Sequence, residues 1–337
     1  MTVTLTRRLL ARLVLANLAT ITLVEWALAV LRPEGGPLGI LQIVAPHLAL
    51  LGLVLIPISL LRRRPAGTVA AIALLAITGL RFGPDWVSIP ASPPAAGVPR
   101  LHLVTWNLEV FSRPGAETAA VLRTIDADVV ALQELQPEAA AAIEADPILR
   151  DRFPYRVLVP SQDVVGLGLL SRFPIGGATY AIDPALQEAT LDLGGGRSLA
   201  IVHAHPFHAE IASLGDTRVP LGIDVGRRNA DLVAIRRHVD ARLGAGLPVL
   251  LVGDLNTADS EPAFDRLVAG LRDVHAVVGE GTGWTWRPIR LEFLGLGVLR
   301  IDHVIVSPSI TPVAIGETCP LVGDHCLVHA ELAIPGG

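Results

Sequence analysis

Lysine is absent from this 337-residue chain, so every basic side chain apart from histidine is an arginine. Any side-chain cation that holds a phosphate group here must therefore be arginine or histidine. Charged residues make up only 18% of the sequence, whereas hydrophobic residues make up 51%. This balance is too apolar for a purely water-soluble protein of this length, and it indicates membrane segments.

Cysteine is also scarce, with only Cys319 and Cys326, seven residues apart. The chain has no further cysteine to complete a second ligand pair, which argues against a zinc site. Two interpretations stay open for the pair. They form a disulfide if this part of the chain lies outside the cytoplasm, or they are two buried free thiols.

The two parts of the chain carry opposite charge. Residues 1–99 contain eight arginines against three acidic residues, a net charge of +5, and residues 100–337 contain 19 arginines against 29 acidic residues, a net charge of −10. The second part also lacks a run of basic residues that could line a groove. Because proteins bind nucleic acid largely through cations on its phosphates, this acidic segment disfavours nucleic acid as a partner.

Three apolar stretches occupy the first quarter of the sequence, at about 13–31, 38–61 and 66–82. A helix that crosses a bilayer needs roughly 20 apolar residues, which the first two stretches supply. The third is marginal unless Phe82 and Trp86 extend it as interfacial anchors. A cleaved signal peptide is disfavoured, because the first stretch is long and a second follows at once. Residues 1–84 are therefore predicted to be a multi-pass transmembrane region.

The arginine distribution predicts the orientation of these spans. Arginines precede the first span and separate the second from the third, namely Arg7, Arg8, Arg12, Arg62, Arg63 and Arg64. The short first loop has only Arg32 beside Glu34. Arginine-rich loops stay in the cytoplasm, so three crossings would place the large domain outside it. If the third stretch does not cross, that domain is cytoplasmic.

A single carboxylate, Glu25, interrupts the first predicted span. An ionisable residue inside a membrane helix is by default a candidate functional group. Glu25 is near the outer end of its span, however, and we expect its side chain to reach the membrane interface.

Beyond a linker rich in proline, alanine and glycine at 85–99, the chain alternates short strands with helices as far as residue 337. Strands are predicted at 101–108, 128–135, 166–175, 198–207, 248–253, 300–307 and 325–332, and helices at 117–127 and 227–243. We expect the strands 166–175 and 198–207 to pair with each other. The pattern indicates a mixed α/β domain of largely antiparallel sheets covered by helices.

Polar side chains recur where these strands begin or end. Asp254 and Asn256 follow one buried strand at a spacing of two, which a simple turn would explain. The same position at other strands is held by Asn107, Glu134, His205, Asp302, Asp324 and His325. One such coincidence describes a turn, whereas the whole set favours a shared site.

The ordered motifs TWNLE, DVVALQEL, GLGLLSRFPI, a histidine-bearing strand, VGDLNT, RIDHVIVS and GDHCLVHAEL resemble the endonuclease/exonuclease/phosphatase superfamily over about residues 100–334. That superfamily includes DNase I-like nucleases, inositol polyphosphate phosphatases and neutral sphingomyelinases. The resemblance implies a two-sheet α/β sandwich with its site at one rim of both sheets. The hydrophobic N-terminus is similar to that of the membrane-anchored bacterial branch.

The resemblance also implies a role for each polar residue. Glu134, with Asn107 beside it, would bind Mg²⁺ (Mn²⁺ being an alternative), because hard cations prefer oxygen ligands. Asp324 would be a further metal ligand or would orient water. Asp254 would orient or deprotonate the attacking water, and Asn256 would hold the phosphoryl oxygens.

Histidines complete the implied chemistry. His325 would contact the phosphate or act as the general base, with Asp302 accepting a hydrogen bond from its other ring nitrogen. His205 would stabilise the transition state or act as the acid. Strand alternation puts His203 on the same face as His205. We choose His205 because the family's histidine closes the strand, and we expect His203 to be packed beneath. His303 is expected to be structural.

Trp286 is predicted to line the substrate cleft. Arg228, at the start of a predicted helix, would bind a second phosphate or form a solvated helix end, and we favour the latter. The sequence therefore predicts a membrane-anchored, divalent-metal-dependent phosphoric ester hydrolase acting on a lipid-linked phosphate, pyrophosphate or phosphodiester outside the cytoplasm. A membrane-tethered nuclease that uses the same site is the alternative. A catalytically inactive scaffold is disfavoured because every expected site position is filled.

Overall fold

The structure is a computed structural model that describes residues 2–61, 65–87, 97–110, 115–213, 215, 219–288, 293, 295–320 and 323–334. Most of the predicted linker and the arginines at 62–64 lie outside the described residues. Contacts divide the chain into two compact units. The first contains the chain up to Pro84 together with Glu210–Val225 and Ser260–Phe264, and the second contains Asp85–Ala209, Gly226–Asp259 and the chain from Asp265 onward.

The first unit is built on four helices: α1 (Thr2–Leu31), α2 (Gly36–Ile43), α3 (Ala45–Leu60) and α4 (Pro65–Trp86). Two described helices are long and apolar enough to cross a membrane, α1 over Leu9–Leu31 and α4 over its whole length. The third predicted stretch is therefore not marginal, because its helix continues through Phe82 to Trp86.

The second predicted span, 38–61, is not one straight helix. It breaks at Val44, and α2 and α3 are bent by 58° relative to each other. Pro46 explains the break, because it has no N–H to donate to Gln42 and its ring would clash with the Gln42 carbonyl in a continuous helix. The mean hydropathy of this stretch does not reveal the break, because one proline lowers it only slightly.

The helices pack through a small apolar cluster formed by Leu18, Ile21, Ile56, Ala71, Leu74 and Ile77. Gly52 on α3 permits a close approach to α4. A Cβ atom at residue 52 would lie 2.4 Å from Cδ2 of Leu74. Small residues at such contacts are typical of helices that associate in membranes, where van der Waals packing drives association.

Glu25 faces the other helices of the first unit, and its position relative to a membrane interface stays a prediction. Its side chain is fully buried and forms an ion pair with Arg81 of α4, and Arg81 also donates to Oε1 of Gln42 at 3.3 Å. A buried carboxylate is tolerated when a cation and further hydrogen bonds satisfy it. The partner is 56 residues away along the chain, so the sequence around Glu25 does not reveal it.

The second unit is a sandwich of two six-stranded sheets. Its strands are β1 (Arg100–Asn107), β2 (Val129–Gln133), β3 (Tyr155–Val159), β4 (Leu167–Ser171), β5 (Ile175–Ile182), β6 (Ala185–Asp192), β7 (Ser198–His205), β10 (Val249–Asp254), β11 (Arg272–Asp273), β12 (Asp302–Val306), β13 (Thr311–Thr318) and β14 (Leu327–Ala333). Strands β8 (Glu210–Ser213) and β9 (Pro220–Asp224) form a separate hairpin within the first unit.

The first sheet has the order β13-β14-β1-β2-β4-β3, and the second has the order β11-β12-β10-β7-β6-β5. Within the described strands, β1 runs parallel to β2 and β7 runs parallel to β10, and the other neighbours are antiparallel. The predicted fold class, a two-sheet α/β sandwich preceded by apolar helices, is confirmed.

One predicted strand pairing is wrong. The strand of 166–175 corresponds to β4, which pairs with β2 and β3 in the first sheet, whereas the strand of 198–207 corresponds to β7 in the second. The intervening strand β6 is the antiparallel neighbour of β7, with Leu186 opposite Ala204. Alternating hydrophobicity identifies a strand but carries no information about its partner.

Helices cover the sandwich and complete its core. Helices α5 (Gly115–Thr124), α6 (Pro137–Ala145) and α7 (Pro147–Arg152) cover the first sheet, α8 (Gly226–Gly244) contacts β7 and β10, and the remaining helices are α9 (Pro262–Val268) and α10 (Val274–Val278). Between the sheets, every second residue of the central strands is buried, as at Leu101 and Leu103 of β1. The period of two continues this inward stripe to the strand ends, where polar residues replace the apolar ones.

Candidate active site

Four of the predicted site residues stand at the same rim of the sandwich because of strand direction. Asn107, His205 and Asp254 are the last residues of β1, β7 and β10. Asp302 is the first residue of β12, which runs antiparallel to β10, so that Asp302 lies opposite Asp254. Each continues the inward-facing stripe of its strand.

The turns that follow β2 and β10 each contain a non-glycine residue in an unusual backbone conformation. Glu134 and Asn256 have φ values of 53° and 49°, in the left-handed region that side chains rarely adopt. Asn256 is held there because its backbone N–H donates to Oδ1 of Asp254 at 2.8 Å and its side-chain amide donates to the Pro206 carbonyl at 3.0 Å. Strained turns of this kind concentrate at functional sites.

Asn107 connects two carboxylates. Its amide nitrogen donates to Oε1 of Glu134 and to Oδ2 of Asp254, both at 3.0 Å, and its amide oxygen accepts from the backbone N–H of Glu109 at 2.9 Å. The opposite amide orientation would set its oxygen against two carboxylate oxygens, so these partners determine the assignment. In this arrangement Asn107 orients Glu134 and directs its own oxygen to the backbone, which differs from the metal ligation implied by the resemblance.

His325 and Asp302 form a buried pair, with Nδ1 of His325 and Oδ2 of Asp302 2.9 Å apart. Nε2 of His325 lies 3.5 Å from Oδ2 of Asp254. Burial alone would lower the pKa of His325, but the charges of Asp302 and Asp254 outweigh it and raise that pKa to about 10. His325 is therefore an imidazolium at neutral pH, suited to donating to an anionic oxygen.

His205 flanks Asp254 on its other side. Its Nδ1 donates to the Val164 carbonyl at 2.9 Å, and its Nε2 lies 3.5 Å from Oδ2 of Asp254 and 3.8 Å from Oε1 of Glu134. Burial opposes protonation, yet the hydrogen bond and charge of Asp254 raise the pKa of His205. The two histidines in turn hold the pKa of Asp254 well below its usual range despite its burial.

The rim also holds an incompletely satisfied carboxylate. Asp324 accepts from Nε1 of Trp286 at 3.0 Å through Oδ2, while its Oδ1 is buried and has no hydrogen-bond partner. Burial raises the pKa of Asp324, and the nearby charges of Glu134 and Asp254 add to that effect. Such an oxygen beside other carboxylates is suited to a divalent cation, since hard cations select oxygen ligands.

A second grouping could also hold an ion, because ligand atoms of Asp254, Asp302 and His325 lie within 4.8 Å of one another. In that set Nδ1 of His325 is already hydrogen-bonded to Asp302, so only Nε2 of His325 is available to a ligand. The residues of this rim therefore fit a divalent cation, and the all-oxygen side around Glu134 and Asp324 fits a hard one best.

A neutral polar layer lies one step deeper in the sandwich. His203 is fully buried, with Nε2 2.6 Å from the side-chain amide of Gln133 and Nδ1 3.3 Å from Oε1 of Gln187. The Gln133 amide also donates to Oγ1 of Thr105 at 3.0 Å. Burial and the charge of His205 lower the pKa of His203 to about 3, so it stays neutral.

Arg228 corrects another expectation. The sequence favoured a solvated helix end, but Arg228 is only 1% exposed, and its Nη1 donates to the Asn256 carbonyl at 3.1 Å. It supports the strained turn of Asn256 from behind. Its neighbour Arg227 is exposed and lies over the Phe207 ring at 3.9 Å. Sequence position at a helix start indicates exposure, and only the packed structure shows which of the two arginines turns inward.

Two further buried arginines and a disulfide hold the surrounding loops. Arg287 donates to the carbonyls of Pro320 and Gly323, next to Asp324, and Cys319 and Cys326 are bridged across the same loop. The disulfide is thus the one of the two open alternatives that the structure contains. Arg300 binds Asp273 at 2.7 Å and Asp259 at 3.0 Å.

His303 behaves as expected of a structural residue, because its Nε2 lies 2.9 Å from the Thr257 carbonyl and its Nδ1 lies 3.3 Å from Nη1 of Arg300. Sequence reasoning passed over Arg287, Arg300, Gln133 and Gln187. The two arginines stand next to recognised motif residues, in WRP and RID, and that adjacency is the only sequence signal for them.

A two-sheet α/β sandwich with acidic and histidine side chains gathered at one rim defines the DNase I-like class of hydrolases. The chain belongs to the Endonuclease/Exonuclease/phosphatase family, whose sequence model matches residues 104–325. Hydrolysis of phosphoester bonds, with dependence on a divalent metal, is the activity that membership supports. No curated protein matches this sequence.

Solved structures with the same fold include truncated TDP2 of Caenorhabditis elegans, with a TM-score of 0.53 and 16% identity over 69% of this chain and 97% of that one. A family protein from Bacteroides thetaiotaomicron has a TM-score of 0.53 and 16% identity over 70% and 96% of the two chains. TDP2 of D. rerio, complexed with a single-strand DNA product, has a TM-score of 0.51 and 18% identity over 69% and 98%. At these identities the likeness shows the fold.

Proposed function

We propose that this protein is a membrane-anchored, Mg²⁺-dependent phosphoric ester hydrolase that acts outside the cytoplasm on a lipid-linked phosphate, pyrophosphate or phosphodiester. The observation that carries the proposal is the combination, in one chain, of a phosphoester-hydrolase rim and apolar helices long enough to cross a bilayer. A tethered hydrolase meets lipid headgroups at high local concentration, so its natural substrates are the phosphates of that surface.

The metal would be held by Glu134 and Asp324, with Asn107 orienting Glu134. When bound, Mg²⁺ (or Mn²⁺) neutralises charge on the phosphoryl oxygens. Asp254 orients the attacking water, because the neighbouring His325 and His205 hold its pKa well below its usual range, so that it stays ionised and can accept a hydrogen bond from that water. Trp286, expected in the substrate cleft, contributes by positioning Asp324 through its indole N–H.

The histidines supply donors for the developing charge. Nε2 of His325 donates to a phosphoryl oxygen while Asp302 holds its ring. Nε2 of His205 donates to a second phosphoryl oxygen or to the leaving oxygen. Asn256 uses one amide hydrogen on the Pro206 carbonyl and retains the other for a phosphoryl oxygen. Preorganised donors of this kind act where charge appears in the transition state.

The extracytoplasmic location has two independent supports. Arg7 and Arg8 precede the first candidate span, Leu9–Leu31, and the arginines at 62–64 follow α3 and precede α4 in the sequence. The bent pair α2–α3 gives three crossings if it counts as one span. Cys319 and Cys326 form a disulfide, a bond that persists in oxidising compartments and is rare in the cytoplasm.

A membrane-tethered nuclease would use the same residues on DNA or RNA. The single-strand DNA product in one TDP2 structure belongs to that protein, and the likeness to it is a likeness of fold. Residues 100–337 carry a net charge of −10 without a single lysine. Nucleic-acid binding through phosphate contacts needs the opposite balance, so we favour the lipid substrate.

The test is hydrolysis by the purified full-length protein of a polyprenyl pyrophosphate, a phospholipid, a sphingolipid and plasmid DNA, with Mg²⁺ and then with EDTA. We expect metal-dependent release of phosphate or headgroup from one lipid and none with Asp254→Ala. Asp126→Ala, a change at an exposed carboxylate, is the matched control and should retain activity. Cleavage of DNA alone would overturn the lipid assignment, and turnover that survives EDTA would overturn the metal dependence.

A further inference from the structure

Two segments of the acidic part of the chain fold with the helices and not with the sandwich. They are Glu210–Val225, which contains the β8–β9 hairpin, and Ser260–Phe264. Each segment follows a candidate site residue closely along the chain. Four residues separate His205 from Glu210, and three separate Asn256 from Ser260. The loops after β7 and β10 therefore both continue into the unit of the candidate membrane helices.

Helix α2 is shaped to hold the hairpin. Gly36 forms a bridge with Ile223 of β9, and a Cβ atom at Gly39 would lie 2.8 Å from Cγ2 of Ile223. Gly222 is equally close, since a Cβ atom there would lie 3.0 Å from the carbonyl carbon of Gly36. Glycines at these contacts let the strand lie directly on the helix, as small residues do where backbones approach closely.

The same helix also holds the second segment. The side-chain amide of Gln42 donates to the Ser260 carbonyl, and Oε1 of Gln42 accepts from Arg81, the partner of Glu25. Helix α2 thus contacts both segments, and its axis is bent by 58° from that of α3. A short apolar helix with such neighbours, at the end of a bent pair, is typical of the end of a span that lies at the membrane surface.

The hairpin and its connecting loop expose several large apolar side chains. Ile211 is 65% exposed, Val219 51% and Leu221 47%, and all four residues of β8 are exposed. A two-stranded hairpin is marginally stable in water, and clustered exposed apolar residues mark interaction surfaces. The exposed Leu38 of α2 belongs to the same unit. Continuity with the candidate membrane helices identifies lipid as the occupant.

We propose that the β8–β9 hairpin lies in the headgroup region of the bilayer, with Ile211, Val219 and Leu221 in contact with lipid. Loss of this contact should weaken the action of the enzyme on a lipid substrate, a consequence that rests on the proposed function, whereas the contact between the hairpin and lipid does not.

The direct experiment places an environment-sensitive fluorophore on Ile211→Cys in the full-length protein, reconstituted in phosphatidylcholine vesicles with and without lipids spin-labelled near the headgroup. Ile182→Cys on β5 is the matched control, because Ile182 is equally apolar and 64% exposed but belongs to the sandwich. We expect quenching at residue 211 to exceed that at residue 182 by about twofold or more, as for a side chain buried at the acyl boundary.

Equal quenching at the two positions, or none at residue 211, would overturn the proposal. Emission at residue 211 that depends on protein concentration in vesicles without spin label would identify a second copy of the chain as the occupant, and would overturn it too. Neither readout uses activity, so failure of the proposed function would not affect them.

A second arm uses Ile211→Glu with Leu221→Glu in one chain, and Ile182→Glu as the control. We expect the hairpin variant to raise KM for a lipid substrate in vesicles by about tenfold, since each charge resists transfer to the interface. The kcat/KM for a soluble phosphate diester should stay unchanged in both variants. An equal loss on both substrates would show misfolding of the site and contradict a lipid-contacting role.

Discussion

His203 and His205 lie two residues apart on the same face of β7, and their surroundings shift their pKa values in opposite directions. At the rim, His205 faces Asp254 and Glu134 and its pKa is raised. One layer deeper, His203 faces the amides of Gln133 and Gln187, and its pKa falls to about 3. Charged side chains of opposite sign lie together at the rim, whereas the layer beneath consists of neutral side chains joined by hydrogen bonds.

The difference teaches how one continuous stripe of inward-facing residues divides into a site and its support. Burial lowers the pKa of both histidines, and at His205 the neighbouring carboxylates reverse that effect. A neutral, fully bonded layer costs little to bury, and it separates the charged rim from the apolar core. Changes at the rim should therefore affect activity, and changes in the layer should affect stability.

The largest expected effect is that of Asp254→Asn. The substitution keeps the shape but removes the charge that orients water between His205 and His325, so we expect kcat to fall by about three orders of magnitude. Thermal unfolding of the detergent-solubilised protein should change by only a few degrees. Activity within about tenfold of wild type would contradict the assignment of this rim as the active site.

The sharpest form of the comparison is His205→Gln against His203→Gln. Loss of a proton donor at the rim should reduce kcat by about 10²-fold with little change in stability. His203→Gln should keep activity within about tenfold. It should lower the free energy of unfolding by about 1–3 kcal/mol, because the buried side chains of Gln133 and Gln187 lose a hydrogen-bond partner. If the two variants lost activity equally, the division between rim and layer would be wrong.

Arg228→Met tests a residue that supports the rim without belonging to it. The guanidinium donates to the Asn256 carbonyl, and its removal should loosen the strained turn and lower kcat by about tenfold with KM little changed. Arg227→Met, at the exposed neighbour, is the matched control. A rise in KM for every substrate with unchanged kcat would instead show that Arg228 binds the substrate directly.

The smallest effect is the pH dependence of stability. His203 has a folded pKa of about 3 against about 6.5 unfolded, so the unfolded state takes up the proton first as pH falls. Its contribution to stability is complete above pH 6.5 and is lost as pH falls toward 3, by about 0.8 kcal/mol at pH 6. His203→Gln should therefore show a flatter decline of unfolding free energy between pH 7.5 and 5.5 than wild type. Parallel curves would show that His203 is already protonated in the fold.

Local sequence patterns predict much of the fold of this protein. The ordered motifs identify the family over 104–325, and the alternation of apolar residues identifies the sandwich strands. The same alternation explains why Asn107, Asp254 and Asp302 face inward at strand ends. The site residues themselves stay a prediction, although the structure brings all of them except Arg228 to one rim or its loops, and Arg228 to the back of the Asn256 turn.

Local patterns failed wherever a partner distant in the chain decides the outcome. The sequence predicts both β4 and β7 as apolar strands, but β4 belongs to the first sheet and β7 to the second. Glu25 meets Arg81 across two helices, and Arg228 turns inward toward a carbonyl 28 residues away. Composition and spacing do not encode such contacts.

The sequence by itself therefore determined the class of fold, the inventory of chemical groups and the face of each strand on which they stand, because a strand's period of two and a helix's apolar length are local properties. Only the tertiary structure decided which histidine has a raised pKa, that one oxygen of Asp324 lacks a hydrogen bond, and that two segments after sandwich strands belong to the helical unit. Those outcomes depend on burial and on charges brought together from separate strands, and both exist only once the chain has packed.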